Sequence, residues 1–331
     1  MSRTLSDIMV YAINISAYNE CMGPVKNGHT RKFGVHVSIA GGLSRALERA
    51  HALGCATFQI FSHSPRSWQL SEIPPEEARL FRAGREKLAL DPVFIHACYL
   101  LNLSSADAAL REKSAWMLGE ELRRADVIGA DYVVIHSGRN EANRAGRIEA
   151  DIEEGEGGED GHILFIESIK SVIGRGKEKK NKKFRAGLLL ENTAEAPGAG
   201  LPARSVKALS LAALECGAAG ICFDTCHGFA SGYDITSAEG MRLLARQTLA
   251  VPVRLIHLND SRGQMGSGLD RHEHLGKGGI GLEGFRHFLG YGPPFKDVPV
   301  IMETPKKNEG DDPMNLETAR ALIESKSTSG R

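Results

Sequence analysis

GLLLE at residues 187–191, GICFD at 220–224 and RLIHL at 254–258 are short apolar runs, each separated from the next by a longer stretch with helical patterning. That alternation is the sequence form of βαβ units, and hence of a parallel sheet. Outward from these three, runs of the same kind occupy 33–38, 57–62, 93–96 and 132–136 on one side and 298–303 on the other. Helical patterns lie between them, at 42–53, 75–88, 114–128, 205–216, 237–249 and 315–324. Eight strand-helix repeats over about 300 residues predict an α/β chain of the (β/α)8 TIM barrel class, since an open doubly wound sheet would show a Gly-rich turn at its crossing point.

What ends each run is more telling than the run itself. Strands three to eight end at His96, His136, Glu191, Asp224, His257 and Glu303. In a parallel barrel the C-terminal strand ends converge on one mouth, so these six side chains are expected in a single cleft, which would be the active site. A buried cluster of three carboxylates and three histidines suffers repulsion and desolvation unless protons or cations intervene. Mixed imidazole and carboxylate sets that leave a position open are the pattern of catalytic zinc. Mn²⁺ or Fe²⁺ would fit the same donors. A single histidine is more often a satisfied core side chain than a ligand, but six acids and histidines at six consecutive strand ends are not explained that way.

Two further pieces enlarge the cluster. His227 lies three residues beyond Asp224, and Asp270 and His272 stand two apart, so that in extended backbone they project from one face. Together they read as a third donor set. A structural zinc knuckle from Cys222, Cys226 and His227 is a poor alternative, because no second Cys/His pair follows at finger spacing.

The whole chain narrows the partners. At 331 residues it is long enough for one large barrel, and Lys plus Arg and Asp plus Glu both total 41, so any affinity for nucleic acid has to be local. The cysteines Cys21, Cys55, Cys98, Cys216, Cys222 and Cys226 are scattered through apolar segments, which suits reduced thiols in a cytoplasmic protein. No run reaches membrane-spanning length, so no membrane partner is expected, and a monomer is the default. Residues 1–31 show no clear period and read as an N-terminal arm, expected to be poorly ordered, ahead of a single catalytic domain at 32–331. A charged insertion occupies about 140–185, with six acids in 151–160 and seven bases in 175–185 flanking an apolar helical segment at 162–173. Acids before a helix and bases after it match the helix dipole, and the basic run would fall on the barrel face away from the mouth.

Several motifs, in order along 33–323, closely resemble the endonuclease IV family. They are Gly34-Val35-His36-Val37-Ser38 with Gly41-Gly42, His96-Ala97-Cys98-Tyr99-Leu100-Leu101-Asn102-Leu103, Glu191-Asn192-Thr193-Ala194, Phe223-Asp224-Thr225-Cys226-His227, His257-Leu258-Asn259-Asp260 and Asp270-Arg271-His272. The resemblance implies a TIM barrel holding three zinc ions. One would be held by His96, His136 and Glu191, a second by Glu191, Asp224, His257 and Glu303, and a third by His227, Asp270 and His272. His136 is followed by Ser137-Gly138-Arg139, a departure from the family's His-Pro-Gly that touches the loop and not the ligand.

The activity implied is DNA repair: hydrolysis of the phosphodiester 5′ to an abasic site in double-stranded DNA, leaving a 3′-hydroxyl and a 5′-deoxyribose phosphate. Glu191 would be the catalytic residue, bridging two ions and positioning the hydroxide. Divalent ions would outweigh the carboxylates of Glu191, Asp224, Asp270 and Glu303, converting an acidic cleft into one that attracts phosphate. Arg66, Tyr99 and Leu100 match the positions that the family pushes into DNA at the lesion, and Arg271 would meet a phosphate beside the third ion. Such wedges fill the space of an extruded nucleotide, and extrusion costs least where the base is missing. Two rival readings are a metal-dependent sugar isomerase or epimerase on the same barrel and a non-catalytic DNA-binding barrel. The first has no evident use for His227, Asp270 and His272 beside Arg66, Tyr99 and Leu100, and the second would be expected to have lost some of the metal ligands, whose set is complete.

Overall fold

The computed structural model describes residues 31–136, 156–175, 184–194 and 205–324. Its strands are β1 (Phe33–Val35), β2 (Phe58–Phe61), β3 (Val93–His96), β4 (Tyr132–His136), β5 (Gly187–Glu191), β6 (Gly220–Asp224), β7 (Val253–His257), β8 (Asp260–Ser261), β9 (His272–Glu273) and β10 (Val300–Met302). Eight of them run parallel in the order β1-β10-β7-β6-β5-β4-β3-β2, while β8 and β9 pair separately and antiparallel. The two ends of that order meet. His36 bridges to Gln59, Val37 N donates to Gln59 O at 2.8 Å, and Ala56 N donates to Phe33 O at 2.9 Å. The barrel expected from the strand-helix alternation is therefore present, with β1 against β2 as its seam.

Strand periodicity of two explains how the site is positioned. Phe94, Val134, Leu189, Cys222, Leu255 and Ile301, from β3, β4, β5, β6, β7 and β10, form one fully buried cluster inside the barrel. Two residues farther along each of these strand directions stand His96, His136, Glu191, Asp224, His257 and Glu303. The donors are thus one step above an apolar floor and face the same interior. The register is tight where it matters, with His136 opposite Glu191 and Asp224 opposite His257. Alternate side chains such as Phe58, Ile95, Ile135 and Leu190 point outward into the larger core against the helices.

Those helices are α1 (Leu43–Ala52), α2 (Pro75–Lys87), α3 (Ala108–Ile128), α4 (Glu156–Arg175), α5 (Val206–Cys216), α6 (Thr225–Ala230), α7 (Ala238–Gln247), α8 (Gly281–Leu289) and α9 (Asp311–Glu324). Helix α3 begins six residues before the apolar period does, because Asp107 caps it, accepting from Ala109 N at 2.9 Å. Helix α4 takes in the second half of the acidic run. The short α6 and the amphipathic α8 are additions to the pattern read from sequence. Residues 1–30 of the N-terminal arm, Ser137-Gly138-Arg139, and residues 140–155 and 176–183 of the charged insertion, with Lys177, Lys179, Lys180, Lys182 and Lys183, lie outside the described residues. Among the described residues no helix is long and apolar enough to cross a membrane.

Gly34 sets how closely the seam can close. A Cβ at that position would sit 1.8 Å from Thr57 O, a backbone atom that cannot step aside. Gly34→Ala is therefore expected to lower the unfolding free energy by about 2 kcal/mol or more, at the upper part of the usual range for overpacking. Urea unfolding measures this directly, and a loss below about 0.5 kcal/mol would show that the seam has slack.

Candidate metal centre

Glu191 stands at the centre of the mouth with no exposure to solvent. Its Oε2 lies 3.3 Å from His96 Nε2 and 3.1 Å from His136 Nε2, while its Oε1 lies 3.0 Å from His257 Nδ1 and 3.5 Å from His227 Nδ1. Glu303 Oε2 approaches the same His257 Nδ1 at 3.3 Å. Donor atoms of His96, His136 and Glu191 fall within reach of one shared ion, and so do those of Glu191, Asp224, His257 and Glu303.

The third set is assembled by local structure beyond the strand ends. Asp224 both ends β6 and caps α6, its Oδ1 accepting from His227 N at 2.8 Å, so the first turn of that helix swings His227 back over the mouth. His272 arrives on β9, where it pairs with Ser261. Its Nε2 is 3.4 Å from His227 Nε2 and 3.6 Å from Asp224 Oδ2. Asp270, whose side chain is 49% exposed, reaches in from the loop before β9, with Oδ1 3.2 Å from His227 Nε2 and 3.8 Å from His272 Nε2. Asp224, His227 and His272 are close enough to share an ion. All nine residues read from the sequence therefore come together. The geometry also gives Asp224 a place between the second and third sets, as Glu191 has between the first and second.

The remaining ring nitrogens show what the histidines are oriented for. Nδ1 of His96 lies 2.8 Å from Ala97 O, that of His227 2.9 Å from Asn192 O, and that of His272 3.1 Å from Glu303 O. A carbonyl only accepts, so each Nδ1 must donate, and in the neutral ring this leaves each Nε2 with a lone pair aimed at the mouth. His257 is turned the other way, with Nε2 2.9 Å from Gln59 Oε1 and Nδ1 toward the carboxylates. Glu191 Oε2 is buried and makes no hydrogen bond. An orphaned anionic oxygen between two imidazole nitrogens is a donor set that fits a divalent cation.

The protonation pattern points the same way. Burial by itself would push Glu191 up, yet the histidines around it, His257 foremost and then His136, hold it well below the ordinary carboxylate range. Burial would likewise lower His227 and His257. Asp224 and Asp270 hold the first well above the usual imidazole value, and Cys222, Glu191 and Glu303 do so for the second. Asp270 is held down to about 2 against its own burial, chiefly by His227. With no cation bound, protons on His227 and His257 would balance part of the carboxylate charge.

Several residues that tune the mouth are absent from the strand-end reading. Asn259 Nδ2 donates to Asp224 Oδ2 at 2.7 Å while its Oδ1 accepts from Glu303 N at 2.8 Å. Asn192 makes paired bonds to the Asp224 backbone, at 3.0 and 2.8 Å. Gln59 Nε2 donates to Glu303 Oε1 at 2.6 Å, and His36 Nδ1 lies 3.3 Å from that oxygen. Two signals were available: an amide immediately after a strand end at Asn192, and a polar residue inside the apolar run Phe58-Gln59-Ile60. Around this centre Arg66 and Arg271 are exposed, Tyr99 is 60% exposed and Leu100 is half-buried. Tyr99, Leu100, His96, His136, Thr193 and Asp270 line one cleft of about 500 Å³.

Comparison with known proteins agrees with these observations. The family described as xylose isomerase-like TIM barrel matches residues 47–326. The chain is similar to a "Probable endonuclease 4" of Methanoculleus marisnigri, 40% identical over 87% of this chain and 98% of that one. A "Probable endonuclease 4" of Solibacter usitatus is 38% identical, over 89% and 98% of the two chains. Among solved structures, endonuclease IV from Thermus thermophilus superposes with a TM-score of 0.73 at 34% identity, covering 89% of this chain and 99% of that one.

The raised histidines give a measurable consequence. At pH 7 the metal-free mouth keeps protons on His227 and His257, and a divalent ion has to displace them. Zinc titration by calorimetry should therefore release protons, so that the observed heat changes with the ionisation enthalpy of the buffer. Apparent affinity should strengthen as pH rises through the elevated histidine range. Equal heats in buffers of low and high ionisation enthalpy would mean that the histidines are already neutral.

Proposed function

Because the chain belongs to the endonuclease IV family, a family of nucleases within the xylose isomerase-like TIM barrels, we propose that it cuts double-stranded DNA at abasic sites with three zinc ions. The bond hydrolysed is the phosphodiester 5′ to the lesion, and the products are a 3′-hydroxyl and a 5′-deoxyribose phosphate. One observation carries this reading: three adjoining donor sets, linked through the buried carboxylates of Glu191 and Asp224, lie below a rim that exposes Arg66, Tyr99 and Arg271.

Phosphodiesters resist hydrolysis because an anionic centre repels an anionic nucleophile. Zinc, when bound, supplies the low water pKa and the positive charge that overcome this. The chain's own residues do the rest. Glu191 offers one oxygen to His96 and His136 and the other toward His257, so it would share in holding one ion with the first pair and a second with His257. His227, Asp270 and His272 would hold the third ion, whose positive charge would offset that of the departing 3′ oxygen, on the side where Arg271 can meet the neighbouring phosphate. Tyr99 and Leu100 project beside the cleft, where they can occupy the space of an extruded nucleotide. A sugar isomerase or epimerase built on this barrel would leave both the third donor set and this protruding rim without a task.

Metal analysis together with an assay on a duplex bearing one abasic site tests the proposal. About three zinc per chain and single-strand incision 5′ to the lesion are expected; turnover in a verifiably zinc-free sample would overturn the mechanism. Glu191→Gln should reduce cleavage by well over about a hundredfold, more than is lost with a group that merely orients a metal ligand. Duplex binding should largely survive, since the rim is untouched. Activity within tenfold of the parent, roughly 1.4 kcal/mol of barrier, would exclude a bridging role. Replacing Tyr99 and Leu100 with alanine should weaken binding to abasic DNA more than to intact DNA of the same length. An equal loss on both would show that they hold the backbone and do not read the lesion.

A further inference from the structure

A second buried polar cluster sits on α3 and contributes nothing to the donor sets. Glu121 and Arg124, about one turn apart, are 1% and 3% exposed. Ser62 Oγ donates to Glu121 Oε2 at 2.6 Å, and His63 Nε2 lies 3.0 Å from Glu121 Oε1. Arg124 Nε donates to that same Ser62 Oγ at 2.8 Å, its Nη2 donates to Ser62 O, and its Nη1 donates to Ser71 O at 2.7 Å. One guanidinium therefore grips both ends of the segment 62–71, which carries Arg66. Near the middle of that segment Lys113, also from α3, stands 4.5 Å over the Trp68 ring.

The neighbouring loop is tied to the same helix. Asn102 N donates to Ser114 Oγ at 2.9 Å, and Arg111 Nη1 donates to Ser105 O at 2.6 Å. Tyr99 N donates to Pro65 O at 3.0 Å, joining the two loops to each other. Donor atoms of His63, Cys98 and Glu121 are also close enough to share a cation. However, both Glu121 oxygens already have partners, and Arg124 meets the same serine, so the charge is balanced within the chain. A hydrophobic pair would pack α3 at least as well as these two buried opposite charges, which meet through Ser62 Oγ. What the guanidinium fork adds is direction, because it fixes two backbone carbonyls at once.

We infer that Glu121 and Arg124 are positioning residues for lesion recognition: they pre-order the segment carrying Arg66 and, through Pro65, the loop carrying Tyr99. The substrate in this inference rests on the proposed function; the clamp does not. Binding by loose loops pays for their ordering at the moment of contact, whereas here that ordering is completed during folding.

The double variant Glu121→Met/Arg124→Met removes both charges without leaving either one unpaired, and replacement of this kind commonly preserves the fold. It should raise KM for an abasic duplex by about tenfold or more while kcat at saturation stays within about threefold, the signature of lost positioning rather than lost chemistry. Zinc content should be unchanged, the preference for abasic over intact duplex should fall by about tenfold, and trypsin should cut after Arg66 at least about tenfold faster. Lys113→Ala, which leaves the buried pair in place, should shift KM and tryptic cutting in the same direction by a smaller factor, and it carries the test if the double variant does not fold. Unchanged KM and unchanged cutting after Arg66 would overturn the inference, as would kcat and zinc content falling together. A parent enzyme that fails to cut abasic DNA would sink the proposed function instead, and the tryptic comparison would still report on the clamp.

Discussion

A carboxylate with no exposure to water has to be neutralised, and the arrangement of the barrel mouth follows from how this is done for Glu191. Four histidines from four different elements come within 3.5 Å of its two oxygens. They can do so only because β3, β4, β5, β6 and β7 are neighbours in one closed sheet whose registers bring their ends level. Closure in turn depends on the β1–β2 seam, and the seam on a glycine where any side chain would meet a carbonyl. Stability and chemistry are thus coupled through geometry: loosening the seam would spread the strand ends, and spread ends would leave the carboxylate without its partners.

The strand ends were legible in the sequence for a physical reason. Side chains two apart on a strand share a face, so an apolar residue inside the barrel at Leu189, Cys222 or Leu255 implies an inward side chain at Glu191, Asp224 or His257. For residues that act across the barrel, the sequence can mark the residue itself but not its partners. Gln59 on β2 serves His257 on β7 and Glu303 after β10, contacts separated by 198 and 244 positions in the chain. Asn259 ties Asp224 to Glu303 in the same way. Periodicity identifies which way a side chain faces; it does not identify which partner stands opposite. The start of α3 escaped for a different reason, since apolar period marks where a helix meets the core, whereas Asp107 marks where its backbone bonds begin.

Helix α3 shows how a barrel can make loops rigid without making them regular. Its apolar face, with Leu118, Leu122 and Ala125, belongs to the core between helices and sheet, while Lys113, Ser114, Glu121 and Arg124 hold the two segments that rise beside the mouth. Loops are where barrels vary and where their specificity resides. Under the proposed function, a loop that fills the place of a missing base would work best already in shape, because the phosphates are the same in every duplex and carry no sign of the lesion.

Where each donor stands separates the two kinds of chemistry this barrel could carry. Donors at the strand ends alone, His96, His136, Glu191, Asp224, His257 and Glu303, would serve any reaction that needs one or two divalent ions over an apolar floor. What is added lies entirely outside the eight barrel strands: His227 on α6, His272 on β9, and Asp270, Arg66 and Tyr99 on loops. Each is fixed by a local device, a helix cap at Asp224, an antiparallel pair at Ser261, or a backbone bond from Tyr99 to Pro65. The barrel therefore sets where metal can sit, and short structures grafted onto its rim decide what is brought to it. Because those rim structures are held by a few hydrogen bonds while the strand-end donors are held by the whole sheet, small local edits at the rim can change substrate choice, and the third donor set with it, while the six strand-end donors stay put.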